Sequence, residues 1–267
     1  MTGHKPAGID VTTPNVARIY DYFLDGKDNF AADREAADKI TAMMPMVPVI
    51  AKDNRAFLRR AMRFLVAEQG IRQFIDVGAG LPTQGNVHEI ARQTAPDARV
   101  LYVDNDPMVC NHGRALLADE ATQIIEADLR RPEEIINHPL TRGLIDFTEP
   151  FALLLTAVLH FVPDDDDPHG TITRFHEVMA PGSCLVISHG TLESDPDDPR
   201  PRLSAEVYRR ASAQLALRPI DAVRSLFDGF ELVEPGLVWI SQWRPNRFEG
   251  GSGVTETLRG GVARKLS

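Results

Sequence analysis

Phe74-Ile75-Asp76-Val77-Gly78-Ala79-Gly80 decides how the chain is read, together with Leu101-Tyr102-Val103-Asp104-Asn105-Asp106. The first stretch is an apolar run that reaches Asp76 and opens into a glycine turn. The second is an apolar run that ends in Asp104. Two neighbouring parallel strands that finish this way build a nucleoside pocket. Gly78 and Gly80 let the backbone approach a ligand, because glycine has no Cβ and accepts positive φ. A carboxylate at the tip of the next strand can accept both hydroxyls of a ribose. A glycine turn alone also fits an ordinary strand-to-helix loop, and Asp104 at the expected distance is what favours a nucleoside site.

A dinucleotide site would carry G-x-G-x-x-G, with a third glycine where strand and helix pack closely. Thr83 stands there, after Pro82. The spacing of Asp76, Gly78 and Gly80 instead resembles motif I of class I S-adenosylmethionine (SAM) methyltransferases, although their usual next glycine falls at Pro82.

The chain's 267 residues suffice for one large α/β domain with additions. With 43% hydrophobic and 25% charged residues, disorder across the whole chain is excluded. The 38 acidic and 29 basic side chains give a net charge of −9, which argues against a nucleic-acid partner held by general electrostatics. Arg59, Arg60 and Arg63 read as the solvated face of a helix. Cys110 and Cys184 offer neither metal spacing nor a disulfide framework, which fits a reducing cytoplasm. No apolar signal segment stands near Met1, and the apolar run 151–159 is too short to cross a bilayer. The expectation is a cytoplasmic protein with no membrane partner and no metal.

Residues 1–70 are helical in pattern. Thr13 and Pro14 read as a cap and first helical position, and Val16, Ile19, Tyr20, Phe23 and Leu24 build an apolar face that ends at Gly26. A second helix is expected over 33–43. Pro45 and Pro48 then break the chain before a long helix over 50–68, with Phe57, Leu58, Ala61, Phe64 and Leu65 as its buried stripe. From residue 73 the pattern alternates. Strands are expected at 73–77, 99–103, 123–127, 151–158, 183–188 and 230–233, with 261–265 returning beside the last. Helices are expected at 86–93, 107–117, 133–137, 171–179, 205–217 and 220–227. Continuous apolar strands suit a parallel sheet covered on both faces. The fold class is therefore α/β: a Rossmann-like, doubly wound, mostly parallel sheet of seven strands. Residues 1–70 form a helical cap, and 71–267 a methyltransferase-type domain with a helical insertion around 203–227.

SAM offers a ribose diol, an adenine edge, a methionine zwitterion and a sulfonium. Asp104, with Asn105 beside it, would take the ribose. Asp128 and Leu129, after the third strand, would meet adenine. Asp76, Gly78, Ala79 and Gly80 would hold the amino-acid end, helped by the helix start near Thr83. Thr156 and Ala157, at the end of the fourth strand, would border cofactor and acceptor. Asp104 and Asp106 have a second reading as caps of the helix that starts at Pro107, and Asp128 as the cap of a turn before Pro132. His160 and His189 are candidates for a base and equally for hydrogen-bonded core histidines. The run Asp164–Asp167 reads as a helix N-terminus rather than a metal site.

Five stretches carry a wider likeness: residues 14–30 (Pro-Asn-Val-Ala-Arg-Ile-Tyr-Asp-Tyr-Phe-Leu-Asp-Gly-Lys-Asp-Asn-Phe), 54–60, 78–83, 102–107 and 159–164 (Leu-His-Phe-Val-Pro-Asp). Together they resemble the bacterial family named S-adenosyl methyltransferase, once a domain of unknown function. The resemblance spans nearly the whole chain. It implies a class I fold with an N-terminal helical cap, SAM as cofactor and S-adenosylhomocysteine (SAH) as product, and it implies no defined methyl acceptor. Leu81-Pro82-Thr83 is the family's usual form. From the residues alone, Arg18, Tyr22, Lys27 and Asn29 are candidates for a lid over cofactor and acceptor, with Tyr22 also a weak catalytic candidate. The other reading is a helix that packs on the sheet and shows these residues to water. The functions in competition are methyl transfer to a small molecule, a SAM- or SAH-binding regulator without turnover, and an NAD-dependent oxidoreductase.

Overall fold

The computed structural model describes residues 10–82, 85–191, 214–245 and 256–267. Five parallel strands form the centre of one sheet: β1 (Gln73–Val77), β2 (Arg99–Asp104), β3 (Thr122–Glu126), β4 (Ala152–Thr156) and β5 (Cys184–Gly190). β8 (Leu258–Arg264) runs antiparallel to β5 and pairs with the two-residue strands β6 (Glu231–Leu232) and β7 (Val238–Trp239). The order is β3-β2-β1-β4-β5-β8-β6, with β7 also on β8. The chain thus winds outward in both directions from β1 and β4, and the crevice above their carboxyl ends is where such sheets bind ligands. Val238 and Trp239 make an eighth strand that a two-residue pattern does not announce.

Strand alternation divides the core. Phe74, Val100, Tyr102, Leu154 and Val186 face helices α3 (Val47–Ala67), α4 (Val87–Arg92) and α5 (Pro107–Leu116). Ile75, Leu101, Leu153 and Ile187 face α6 (Pro132–Ile136), α7 (Pro139–Leu144), α8 (Pro168–Val178) and α9 (Ile220–Ser225). α3 buries the expected stripe of Phe57, Leu58, Ala61, Phe64 and Leu65 against the sheet. It therefore belongs to the sheet's core. The segment with a core of its own is α1 (Val16–Phe23), α2 (Ala31–Met43) and the start of α3, where Ile19, Phe23, Ala37, Ile40 and Ala51 meet.

Several boundaries differ from the sequence reading. Asn15, not Thr13, caps α1 by accepting from the Arg18 N–H. Pro48 lies inside the first turn of α3, where a missing N–H costs nothing. α7 was not expected: Pro139 opens it and the His138 ring caps it. β4 stops at Thr156 because Ala157 turns to φ 55°. Arg60 is no solvated residue, since its guanidinium donates to Trp243 O at 2.8 Å and Ile240 O at 2.7 Å. Of the helix expected over 205–217, residues 205–213 lie outside the described residues and 214–217 adopt no regular structure. Among the described residues no helix is long and apolar enough to cross a membrane.

Candidate active site

A cavity of about 1200 Å³ opens above the carboxyl ends of β1 to β4. Asp76, Gly78, Ala79 and Gly80 line it from β1, and Asp104 and Asn105 from β2. Asp128 and Leu129 follow β3, and Thr156 and Ala157 follow β4. Ten of the eleven residues expected around a cofactor thus meet at one surface. The eleventh, Thr83, lies outside the described residues.

The glycine turn is built around Asp104. Gly80 N donates to Asp104 Oδ2 at 2.9 Å, and Asp106 N donates to Oδ1 at 2.9 Å. Each oxygen keeps a lone pair for a further donor. Gly78 has φ +73°, and a Cβ there would lie 2.5 Å from Val158 Cγ2. Its conformation and its contact with the β4 loop both require glycine. Burial pushes the Asp104 carboxyl up to about 6, against the pull of these N–H groups. Asp76 is pushed up to about 7 by burial, with Arg55 opposing the rise and Asp104 adding to it. It accepts no hydrogen bond among the described residues. A buried carboxylate without donors is the electrostatic complement of a cation.

The capping readings of the neighbouring aspartates also hold. Asp106 caps α5 by accepting from Met108 N at 2.6 Å. Asp128 closes its own turn, accepting from Arg130 N at 2.9 Å and from the Arg130 guanidinium. That guanidinium holds Asp128 below the usual carboxylate range.

The loop after β4 is fixed from two sides. Ala157 N donates to Ser188 Oγ at 2.9 Å, Ser188 Oγ donates to Asn54 Oδ1 at 2.6 Å, and Asn54 Nδ2 donates to Tyr20 Oη at 3.1 Å. α1, α3, β5 and the β4 loop are thereby joined. The signal for Asn54 was present in the sequence: it sits at helical spacing between Ile50 and Phe57 on the buried stripe. On the other side the buried Arg218 donates to Leu159 O at 2.9 Å, Val162 O at 2.7 Å and Asp164 Oδ1 at 2.7 Å. No periodicity around Arg218 marks it in the sequence.

His160 lies on the turn that Arg218 clamps, and it lines the cavity. His189 does not. It is fully buried, accepts from Arg218 Nη1 at Nε2 (2.8 Å) and donates from Nδ1 to Gly190 O (2.7 Å). Both its nitrogens are engaged and burial lowers its pKa to about 4, so it is the hydrogen-bonded core histidine of the two readings.

The polar lid residues stand elsewhere. Arg18 is buried, with Nε 2.8 Å from Asp33 Oδ2 but off the line of a hydrogen bond, and its guanidinium lies over the Phe30 ring. Tyr22 donates to Asp38 on α2 at 3.1 Å. Asn29 donates to Asp21 Oδ2 on α1 at 2.9 Å, and Lys27 is exposed. None of the four lines the cavity; α1 presents Ala17, Tyr20 and Phe23 to it instead. For Arg18 and Tyr22 the reason is that α2 takes them up, through Asp33 and Asp38. Among the described residues no group of three or more His, Cys, Asp or Glu side chains is placed to hold a metal ion.

Comparison with known proteins matches residues 2–266 to the model of the S-adenosyl methyltransferase family. A Thermobifida fusca protein provisionally classed as a methyltransferase is 40% identical, with a TM-score of 0.90 over 98% of each chain. A DUF574 family protein from Streptomyces avermitilis is also 40% identical, with a TM-score of 0.91 over 96% of this chain and 99% of that one. Human N-acetylserotonin methyltransferase, solved with SAM, shares the fold at 16% identity, with a TM-score of 0.50 over 92% of this chain and 62% of its own. Comparison with curated proteins gives no match. These findings leave no place for an NAD-dependent oxidoreductase. The chain belongs to the S-adenosyl methyltransferase family and is a class I methyltransferase that uses SAM as its cofactor.

Proposed function

We propose that the enzyme methylates a small, largely apolar molecule held between the strand tips and helices α1 to α3. The carrying observation is the cavity itself. Its volume of about 1200 Å³ exceeds what one small ligand fills, and its wall changes character from carboxylates at β1 to β3 to Phe23, Ile40, Met44 and Val47 at the helices. A concave pocket of this kind suits a small acceptor better than a duplex, and the net charge of −9 points the same way.

The residues at the strand tips fit SAM. Asp104 would accept from the ribose hydroxyls, with both oxygens already oriented by backbone donors. Asp76, which accepts no hydrogen bond among the described residues, would face the positive charge of the methionine end. The N–H groups of Gly78 and Ala79 are taken by Val103 O and that of Gly80 by Asp104 Oδ2, so the turn would approach the ligand closely without donating to its carboxylate. Asp128, Leu129 and Asn105 would border the adenine, with Arg130 competing for the Asp128 carboxylate. Thr156 and Ala157 would separate cofactor from acceptor. Bound SAM supplies an activated methyl carbon. The protein's part is to align the acceptor and exclude water, and α1 and α2 would do the latter as a fixed cover. Residues 10–46 are then the cover, and the remainder the catalytic domain.

The test is incubation with methyl-labelled SAM and a fractionated extract, followed by mass spectrometry. Label is expected in one or a few small molecules of low polarity. Label confined to protein or nucleic-acid fractions would overturn the proposal.

A further inference from the structure

His160 is the one titratable side chain at the cavity whose two ring nitrogens have separable roles. Gly190 N donates to its Nδ1 at 3.3 Å. A backbone N–H can only donate, so Nδ1 is the bare nitrogen and the ring proton sits on Nε2. Nε2 has no partner among the described residues, although the residue is 7% exposed and lines the cavity. The turn carrying it is held on both sides by Arg218, through Leu159 O and Val162 O, and Ala216 N donates to His160 O at 2.7 Å. Burial and the neighbouring His189 and Arg218 favour the neutral ring. The imidazole is thus a preorganised donor. It cannot take a proton from the acceptor without giving up the Gly190 bond.

The geometry points to His160 as a hydrogen-bond donor that orients the methyl acceptor through Nε2–H. The acceptor is then a largely apolar molecule carrying a lone-pair group, such as a ring nitrogen, carbonyl or phenolate oxygen, opposite that proton. Its nucleophilic atom must already hold a free lone pair at neutral pH, or lose its proton to a group other than His160. This inference rests on the small-acceptor reading and deepens it.

Two substitutions separate the nitrogens. His160→Asn keeps an acceptor near Nδ1 for Gly190 and loses the distal donor. His160→Gln keeps a donor near Nε2 and loses the Gly190 bond. With SAH bound, the wild-type protein is titrated with isoquinoline and naphthalene, flat isosteres that differ by one ring nitrogen. Isoquinoline is expected to bind about threefold to tenfold more tightly, as one neutral hydrogen bond allows. The preference should vanish in His160→Asn and persist in His160→Gln, with SAH affinity unchanged in both. Nitrogen-edited NMR at pH 7 should show the proton on Nε2. Equal binding of the two probes, binding of neither, a preference untouched by His160→Asn, or a proton on Nδ1 would each overturn the inference. Failure of SAH itself to bind would instead sink the cofactor assignment.

Discussion

Asp76 and Asp104 set the chemistry of the strand tips through their desolvation. In the ligand-free protein Asp76 titrates near 7, against 3.8 for an unburied carboxyl. Below pH 4 folded and unfolded states are both protonated. As pH rises the unfolded state loses its proton first, so stability falls progressively until about pH 7. Asp76→Asn removes this penalty. Ligand-free Asp76→Asn is expected to gain stability at pH 8, by at most about 4 kcal/mol, in urea denaturation. The same variant should bind SAH about tenfold or more weakly at pH 8, because the positive end of the ligand loses its counter-charge. Wild-type affinity should drop as pH falls from 7 to 5 and both carboxylates protonate, and the variant's should drop less. Unchanged affinity in the variant would refute the assignment. The glycines give a second test. Gly78→Ala meets both a positive φ and Val158, whereas Gly80→Ala has φ +68° and open space around its Cβ. Gly78→Ala should cost about 2–4 kcal/mol and Gly80→Ala about 1 kcal/mol.

At the scale of elements, the first two helices are held by a buried ion pair, Arg18 with Asp33. Asp33→Ala would leave the guanidinium buried and uncompensated, at a cost of about 3–5 kcal/mol. Native-state hydrogen exchange should locate that loss in α1 and α2, with β1 and β4 unaffected. Equal loss across the sheet would show that the cover is not a separate layer. The pair also explains what the sequence concealed. Periodicity found the apolar side of α1 from Ile19 and Phe23. It offered Arg18 and Tyr22 a ligand or water, and the second helix that takes them up is neither, because periodicity marks a polar face without naming what covers it. The strand tips were legible because Asp76, Gly78, Gly80 and Asp104 obey local rules of turn and strand end. Ser188 and Arg218 were not, and the place of Asn54 on the buried stripe gave no hint of its partner Ser188, 134 residues away in sequence. The fold came through its apolar runs; among the described residues, short pieces such as β7 and α7 escaped, where too few residues carry a period.

At the scale of the molecule, the sheet order places the reversal between β1 and β4, and the cavity stands above it. α1 of the cover, α3, β5 and the β4 loop meet there through Tyr20, Asn54 and Ser188. A ligand in the cavity therefore touches elements from both halves of the chain. SAH at one hundred times its Kd should stabilise the whole domain by about 2.7 kcal/mol, raising the Tm by roughly 5 °C in calorimetry. At a fixed SAH concentration the gain should be smaller at pH 5 than at pH 8, because the affinity falls. The central claim is that the cofactor lies across the strand tips with its ribose on Asp104. Isothermal titration of SAH into the wild-type protein and Asp104→Ala tests it most directly. One SAH per chain is predicted for the wild type, with affinity about 10- to 100-fold weaker in the variant, the worth of hydrogen bonds to a charged group. Equal affinity in a folded Asp104→Ala, or no binding to the wild type, would contradict it.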